Sequence, residues 1–476
     1  MNVRTSARPS RFPRLIAIAT IFTLATALGC SSATSPGTAS NITSAAVSVP
    51  VLITDAPSDQ LVAFTLTINT ITLTDSAGKT VSILPAPTTI EICHLNGIQA
   101  PLITATIPAD TYTSATITYS NPQITYISSA GQPVVASPTL TTTSYTITPT
   151  SPVTITNSNT SLLLDLIASQ SVTISGTTVT VAPVFTLKPV PPAAAAPPMG
   201  QNGTGQEQNG AVVSASGTTL VIQPPSGPSV TFTTNSATLL QGLTALSGLT
   251  AGEFVEVDFI VQSGGVLLAT RVQLEPPPPN AVQANLLAGP VTSVTAGTGF
   301  KMVLMQGLGP AVGPTSTAAA SVFTVTTNSS TVYAITPQFV SLTGLPFTPT
   351  FTAANLSPGQ TVGVIASAVT GSTATAANVY LIPQTIDGTV TAIKTVGNYT
   401  AYTLTLASGS AFVSLSGAST ITVYTGTATA GPVSTTTAPS PIAVSSTIRF
   451  NGLIFNAGSG TFSMVAGVCP DATPGI

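Results

Sequence analysis

Three stretches of the chain open alike: "GAVVSASGTTLVIQ" from Gly210, "GPVTSVTAGTGFKMVL" from Gly289 and "GTVTAIKTVGNYTAYTLTL" from Gly388. Each is a Gly, a Val-rich strand, a turn containing Gly, and a second strand. The first two copies stay in step. "TTNSATLL" (233–240) matches "TTNSSTVY" (326–333), "LTAGEFVEV" (249–257) matches "LSPGQTVGV" (356–364), and "LLATRVQL" (267–274) matches "ATAANVYL" (374–381). The third copy is looser: "GASTITVY" (417–424), "VSSTIRFNGLIF" (444–455) and "GTFSMVAGV" (460–468). Segments that recur in the same order describe one supersecondary unit built several times. Five or six short strands per unit are enough for a small closed barrel. The copies are placed at 210–275, 285–383 and 384–474. "EPPPPNA" (275–281) is a hinge, and the surplus length of copy two falls in the loop "GLGPAVGPTSTAAAS" (307–321).

Before the repeats the chain reads as a different all-β module. Val47, Val49, Val51 and Ile53 alternate, the period of a half-buried strand. In "AFTLTINTITLTD" (63–75) the inward parity changes at Asn69–Thr70, which predicts a β-bulge. "DSAGK" (75–79) is a hairpin turn. Further strands are expected at 111–119, 143–149, 152–156, 162–168, 171–175 and 178–187, and the one helical signal is a turn near 96–105. Short strands separated by turn residues predict a β-sandwich over 45–188. At Pro189 the composition changes to "PVPPAAAAPPMGQNGTGQEQN", read as a linker over 189–209, stiff and then flexible. The fold class is therefore all-β: an N-terminal β-sandwich followed by three small β-barrel-like repeats.

The first residues address the protein. Arg4, Arg8, Arg11 and Arg14 precede Leu15–Leu28, an uncharged apolar run. That run is short for a membrane span and suits a signal peptide at 1–29. It ends in "TALGC", which resembles the lipobox of bacterial lipoproteins, although Ala27 stands where Leu is usual. The resemblance implies diacylation of Cys30, palmitate among the acyl groups, and a tether over 30–44. The plainer alternative is a secretory signal with Cys30 incidental. Without the leader the chain keeps six basic residues against 13 acidic ones. Nucleic-acid binding and a polybasic membrane surface are excluded as main functions. Thr and Ser take the surface places that Lys and Glu usually fill. Cys93 and Cys469 are either bridged or two buried thiols.

Against that scarcity, "LITDAPSD" stands out for Asp55 and Asp59. They are candidate ion ligands, or a catalytic pair, or the polar residues of a turn pre-set by Pro57; the turn reading is favoured. Glu253, Glu256 and Asp258 in "AGEFVEVDF" form the densest acidic group, and strand period places Glu256 and Asp258 on a solvated face over Val255, Val257 and Phe259. Cys93 and His94, read as strand neighbours, point to opposite faces. No residue pattern demands zinc, a metal or a cofactor, and "GLGPAVG" lacks the helix a phosphate loop needs.

Residues 45–188 resemble the exported bacterial family catalogued as domain of unknown function 4382. The carriers are the early "TDAP", "IEICHLNGIQAPLITATIPADTY" (90–112), the "LDL-x-A-S-x-S" strand and "VFTLKP" (184–189); Asp110 departs from the usual Gly. The repeats from 210 onward resemble domain of unknown function 5666. These resemblances imply an envelope β protein and no activity. The expectation is a lipid-anchored protein of the outer membrane or cell surface, projecting its barrels on a tether. It would have a non-catalytic binding or structural role, with polysaccharide or an envelope protein as partner. The alternative is an envelope glycan hydrolase using Asp55 with Asp59 or Asp165.

Overall fold

A computed structural model describes residues 45–467, apart from 96–97, 157–160, 193–204, 226, 276–284, 310, 313–320, 336–341, 427–441 and 459. The signal peptide, Cys30, the tether, most of the linker and hinge, and Cys469 lie outside the described residues. Strand is the dominant regular structure among the described residues and helix is scarce, so the all-β reading holds. Among the described residues no helix is long and apolar enough to cross a membrane.

The first domain pairs two sheets. One runs Phe185–Val190, Ser161–Ile167, Ala46–Ala56, Ile98–Pro108. The other centres on Asp110–Ile127 against Leu61–Asp75, flanked by Thr80–Ser82, Thr88–Glu91, Pro133–Ala136, Ser144–Ile147 and Val153–Ile155. Alternation explains the core. Val49, Val51 and Ile53 turn inward with Leu162, Leu164 and Leu166 of the parallel neighbour, and meet Phe64, Leu66, Ile71 and Leu73 from the second sheet. The register of Leu61–Asp75 slips between Ile68 and Thr70, at the bulge its sequence foretells.

Two expectations are corrected. Residues 96–105 hold no helical turn in their described part. A 3-10 turn spans Cys93–Leu95, and Ile98 opens an eleven-residue strand. Pro101 and Pro108 disguise that strand, because proline cannot donate to a ladder. The register shifts beside Pro101, with Val51 opposite Ile103 and Leu52 opposite Pro101, so the proline sits at a bulge, where it is tolerated. "TVTVAPVFTL" is likewise two strands, Thr178–Val181 and Phe185–Val190, divided around Pro183.

The repeats are five-stranded rings with one pairing order. In barrel one Gly205–Ser216 pairs Thr219–Gln223, which pairs Val230–Thr233, then Val266–Glu275, then Phe254–Gln262, which returns to the first strand. Barrel two closes in the same order through Asn285–Thr295, Gly299–Val303, Val322–Thr326, Thr373–Leu381 and Thr361–Thr370. Barrel three does so through Gln384–Val396, Tyr399–Leu406, Thr420–Gly426, Phe462–Gly467 and Thr447–Asn456, and adds a short helix, Ala411–Ser416. Each ring contains one parallel pair, between its third and fifth strands in sequence. The shared opening Gly has a steric reason. A Cβ on Gly210 would lie 2.6 Å from Gln223 O, one on Gly388 2.8 Å from Thr405 O, and one on Gly289 would overlap Val303 O.

The barrels are not separate beads. Barrel one begins inside the stretch read as linker, and Gly205 and Gln206 pair in parallel with Ile98 and Gln99, continuing the first domain's sheet. Leu52 and Leu163, the outward face of that sheet, pack into the core of barrel one. Leu453, Phe455 and Val465 of barrel three join the core of barrel two. Val62 and Ile127 of the first domain meet Val303 of barrel two, with Ala411 and Leu415 of the third-barrel helix against them.

Candidate functional site

The two aspartates of "LITDAPSD" part company in the fold. Asp55 ends the first strand opposite Leu166, so it shares the inward face of Ile53 and is only 4 % exposed. Its Oδ1 accepts from Ala168 N at 3.3 Å, where the chain turns into a short helix, while Oδ2 is buried without a hydrogen-bond partner. Burial, then the charge of Asp165, raises the Asp55 carboxyl well above the ordinary carboxylate range. Asp165 pairs with Thr54 and therefore belongs to the opposite face of the sheet. Alternation thus directs the two side chains to opposite faces, with the charge of Asp165 still reaching Asp55.

Asp59 follows the turn and points to another domain. Its Oδ2 accepts from Asp387 N at 3.1 Å, and Asp387 Oδ2 accepts from Asp59 N at 3.4 Å. Arg449 grips the same Asp387 through Nε at 2.7 Å and a terminal nitrogen at 3.3 Å. Asp59 O accepts from Ala411 N at 2.9 Å. Burial, then the neighbouring Asp387 charge, pushes the Asp59 carboxyl up to about 7. The turn is local, with Leu61 N donating to Ser58 O at 3.2 Å, but the partners of Asp59 are barrel residues far along the chain.

Glu91 was not singled out in the sequence, yet it organises the 3-10 turn. It is 1 % exposed. Oε1 accepts from Phe64 N at 3.0 Å and Cys93 N at 3.1 Å. Oε2 accepts from His94 N at 3.0 Å and lies 2.9 Å from His94 Nδ1. The signal was present in "IEICH": an acid just before a His at helical spacing. Cys93 and His94 are helical neighbours rather than strand neighbours, and the imidazole turns to Glu91. Burial, then the Glu91 charge, pushes the Cys93 thiol well above its usual range.

On barrel one, Glu207, Glu256 and Asp258 bring carboxylate oxygens within 4.8 Å of one another. Register explains it: Asp258 pairs with Glu207 on one side and Arg271 on the other. Arg271, 8 % exposed, already supplies the cation. Its Nε donates to Asp258 Oδ2 at 2.6 Å, and its terminal nitrogens donate to Glu256, Gln273 and, at 3.3 Å, Gln241. Burial, ahead of the Arg271 charge that opposes it, raises the Glu256 carboxyl. The outward face with Val255, Val257 and Phe259 beneath is as its periodicity foretells, but no local pattern singles out Arg271.

Near the 3-10 turn a recess of about 20 Å³ is lined by Ile53, Ile90, His94, Leu102 and Gln208. That is room for about one water molecule, far short of a sugar ring.

These features define an all-β protein of one sandwich and three like barrels, in which Asp59, Glu91, Glu256 and Asp258 are engaged by contacts within the fold. Residues 46–189 match the family model of domain of unknown function DUF4382, and residues 209–273 that of domain of unknown function DUF5666, in this order. The second match covers barrel one; barrels two and three repeat its strand order. No curated protein matches the chain.

Proposed function

We propose that the protein is a lipid-anchored component of the bacterial cell envelope, held by an acylated Cys30, with a non-catalytic binding or structural role. The observation that carries the non-catalytic part is the separation of the first-domain carboxylates. Asp55 faces the sandwich core, Asp165 the other side of the sheet, and Asp59 the third barrel. A glycan hydrolase needs two carboxyls across one sugar. A binding face is offered by the second sheet, where uncharged hydroxyls stand in cross-strand pairs: Thr70 with Thr118 at 2.6 Å, Thr67 with Thr89 at 2.8 Å, Thr116 with Thr146 at 3.1 Å. Such a surface suits neutral polysaccharide or an envelope protein.

Two measurements test this. The full chain expressed in a bacterium should incorporate labelled palmitate and enter the detergent phase, and Cys30→Ser should abolish both. Purified residues 45–476 should bind cell-wall polysaccharide or an envelope fraction on an array or in a pull-down. A soluble, unlabelled wild-type protein that binds neither fraction would overturn the proposal, and so would release of reducing sugar from envelope glycan.

A further inference from the structure

The contact between the Asp59 turn and barrel three is built like a joint. Two carboxylates trade backbone hydrogen bonds in both directions, Asp387 N to Asp59 Oδ2 and Asp59 N to Asp387 Oδ2. One cation serves both. Arg449 is committed to the two oxygens of Asp387. Asp59 is 7 % exposed and Ser410, beside it at the start of the third-barrel helix, is fully buried. Next to the joint lies the apolar junction of Val62, Ile127 and Val303 with Ala411 and Leu415.

We propose that this joint is a proton-operated latch: docking of the first-domain turn on barrel three holds a proton on Asp59, and the joint loosens as pH rises through neutrality, exposing the three-way apolar junction. The charge count is the reason. The ionised groups facing Asp59 are Asp387 from strand Gln384–Val396 and Arg449 from strand Thr447–Asn456, and Arg449 also reaches Asp55. With both joint carboxylates ionised, one negative charge is left without a partner in a site closed to water, which costs far more than the same charge in solvent. A proton on Asp59 removes that charge and keeps every hydrogen bond named above. When the domains separate, Asp59 is hydrated and returns to the ordinary carboxylate range near about 4.

The sign follows from linkage. A carboxyl raised in the docked state, here to about 7, binds its proton more tightly when docked. Its contribution to docking is complete at acid pH and is lost as pH rises from about 4 to about 7. Within that window the docking constant falls by as much as about tenfold per pH unit. A compartment that acidifies or is buffered at different pH would thereby set the joint open or closed.

Hydrogen exchange of the full chain, with rates corrected for intrinsic chemistry, tests the latch at about pH 5.5 and about pH 8. Peptides over 58–62 and 409–417 should exchange at least about tenfold faster at the higher pH, while peptides over 114–120 in the sandwich core should not change. Asp59→Asn keeps the shape without the charge, and its junction should stay protected at both values. Equal wild-type protection at the two values overturns the proposal, and this comparison needs no variant. A pH response that survives Asp59→Asn also overturns it. So does protection at the higher pH that calcium restores and a chelator removes, since a cation rather than a proton would then neutralise the joint.

Discussion

Barrels one and two carry the same turn before their fourth strand and use it differently. In barrel one Gly252 N donates to Val212 O at 2.8 Å, Val212 N to Glu253 O at 2.7 Å, and Thr250 N to Glu253 Oε2 at 2.6 Å. In barrel two Gly359 N donates to Val291 O at 2.8 Å, Val291 N to Gln360 O at 2.9 Å, and Ser357 N to Gln360 Oε1 at 2.7 Å. The two glycines share φ of 92°, a left-handed backbone that Gly adopts without strain. The turn asks its last side chain only for an oxygen. Glutamate and glutamine both have one, but only glutamine also has donors. Gln360 is fully buried and its Nε2 donates to Ile454 O of barrel three at 2.8 Å. Among the described residues Glu253 has no such bond to another barrel. One amide nitrogen converts a turn into a docking contact.

A second position repeats the lesson. The neighbours on the first and fourth strands are Asn209 and Glu256 in barrel one, Ala288 and Gly363 in barrel two, and Asp387 and Arg449 in barrel three. The ladder is the same in all three. Barrel one puts Glu256 in the Arg271 cluster, barrel two leaves the place small, and barrel three builds the joint to Asp59. Inward residues keep the barrel, while outward residues choose its neighbour.

The sharpest way to break the likeness of the copies is at the opening Gly. Gly289→Ala should cost about 3 kcal/mol or more, since its Cβ would overlap a backbone oxygen that cannot move without shifting the second strand. Gly388→Ala, with more space at 2.8 Å, should cost about 1 kcal/mol. Urea denaturation of the two variants measures the difference, and equal costs would mean that the two crossings are equally tight. The Arg271 cluster comes next. Arg271→Met leaves Glu256 and Asp258 facing each other without their cation, and about 2 kcal/mol should be lost. The figure is below that of a fully buried pair because the two acids keep 23 % and 20 % of their side-chain exposure. Adding Glu256→Gln and Asp258→Asn should recover part of the loss in the same melt.

Much of this was legible because it is periodic. Val255 and Val257, the bulge at Asn69–Thr70 and the "TTNS" turns are local patterns, and local patterns survive in one dimension. Thr238 Oγ1 reaches Ala269 O at 2.7 Å and Thr331 Oγ1 reaches Ala376 O at 2.9 Å, the same bond written twice. The strand Ile98–Pro108 was missed because two prolines overrode its apolar residues. The roles of Asp59, Gln360 and Arg449 were out of reach for another reason. Asp59 and Gln360 meet residues 387 and 454 only through packing of whole domains, and Arg449 meets Asp387 only once the strands of barrel three pair. A turn Asp looks the same in sequence whether it meets water or another barrel.

Asp55 and Asp59 offer the next contrast, since both are raised by burial but Asp55 accepts its hydrogen bond from its own domain and Asp59 from barrel three. Its folded-state carboxyl is above the unfolded one. The stability it contributes is full at acid pH and is lost as pH rises above the unfolded value of about 4. Asp55→Asn removes the titrating proton and keeps an oxygen for Ala168 N. The variant should therefore gain on the wild type as pH rises above about 4, by a few °C in Tm. A gain of the same size at every pH would show that Asp55 does not change its protonation on folding.

The smallest effect tests the opening comparison directly, by exchanging the two side chains. Gln360→Glu should keep the turn, because the oxygen facing Ser357 N remains, yet lose the bond to Ile454 O. A carboxyl buried there faces a carbonyl it can satisfy only when protonated, so the cost should be about 1–2 kcal/mol near neutral pH and should shrink in acid. Glu253→Gln makes the reverse change on a more exposed turn with nothing across from it, and should stay within about 0.5 kcal/mol. Thermal melts of both variants at neutral and acid pH give the four numbers needed. If the two exchanges cost the same, the amide of Gln360 contributes nothing beyond its turn, and barrel two is held on barrel three by its other contacts, among them Leu453, Phe455 and Val465 and the bonds of Gln384 to Gly359 O and Thr361 N. If only Gln360→Glu is costly, the difference between the copies resides in one nitrogen atom.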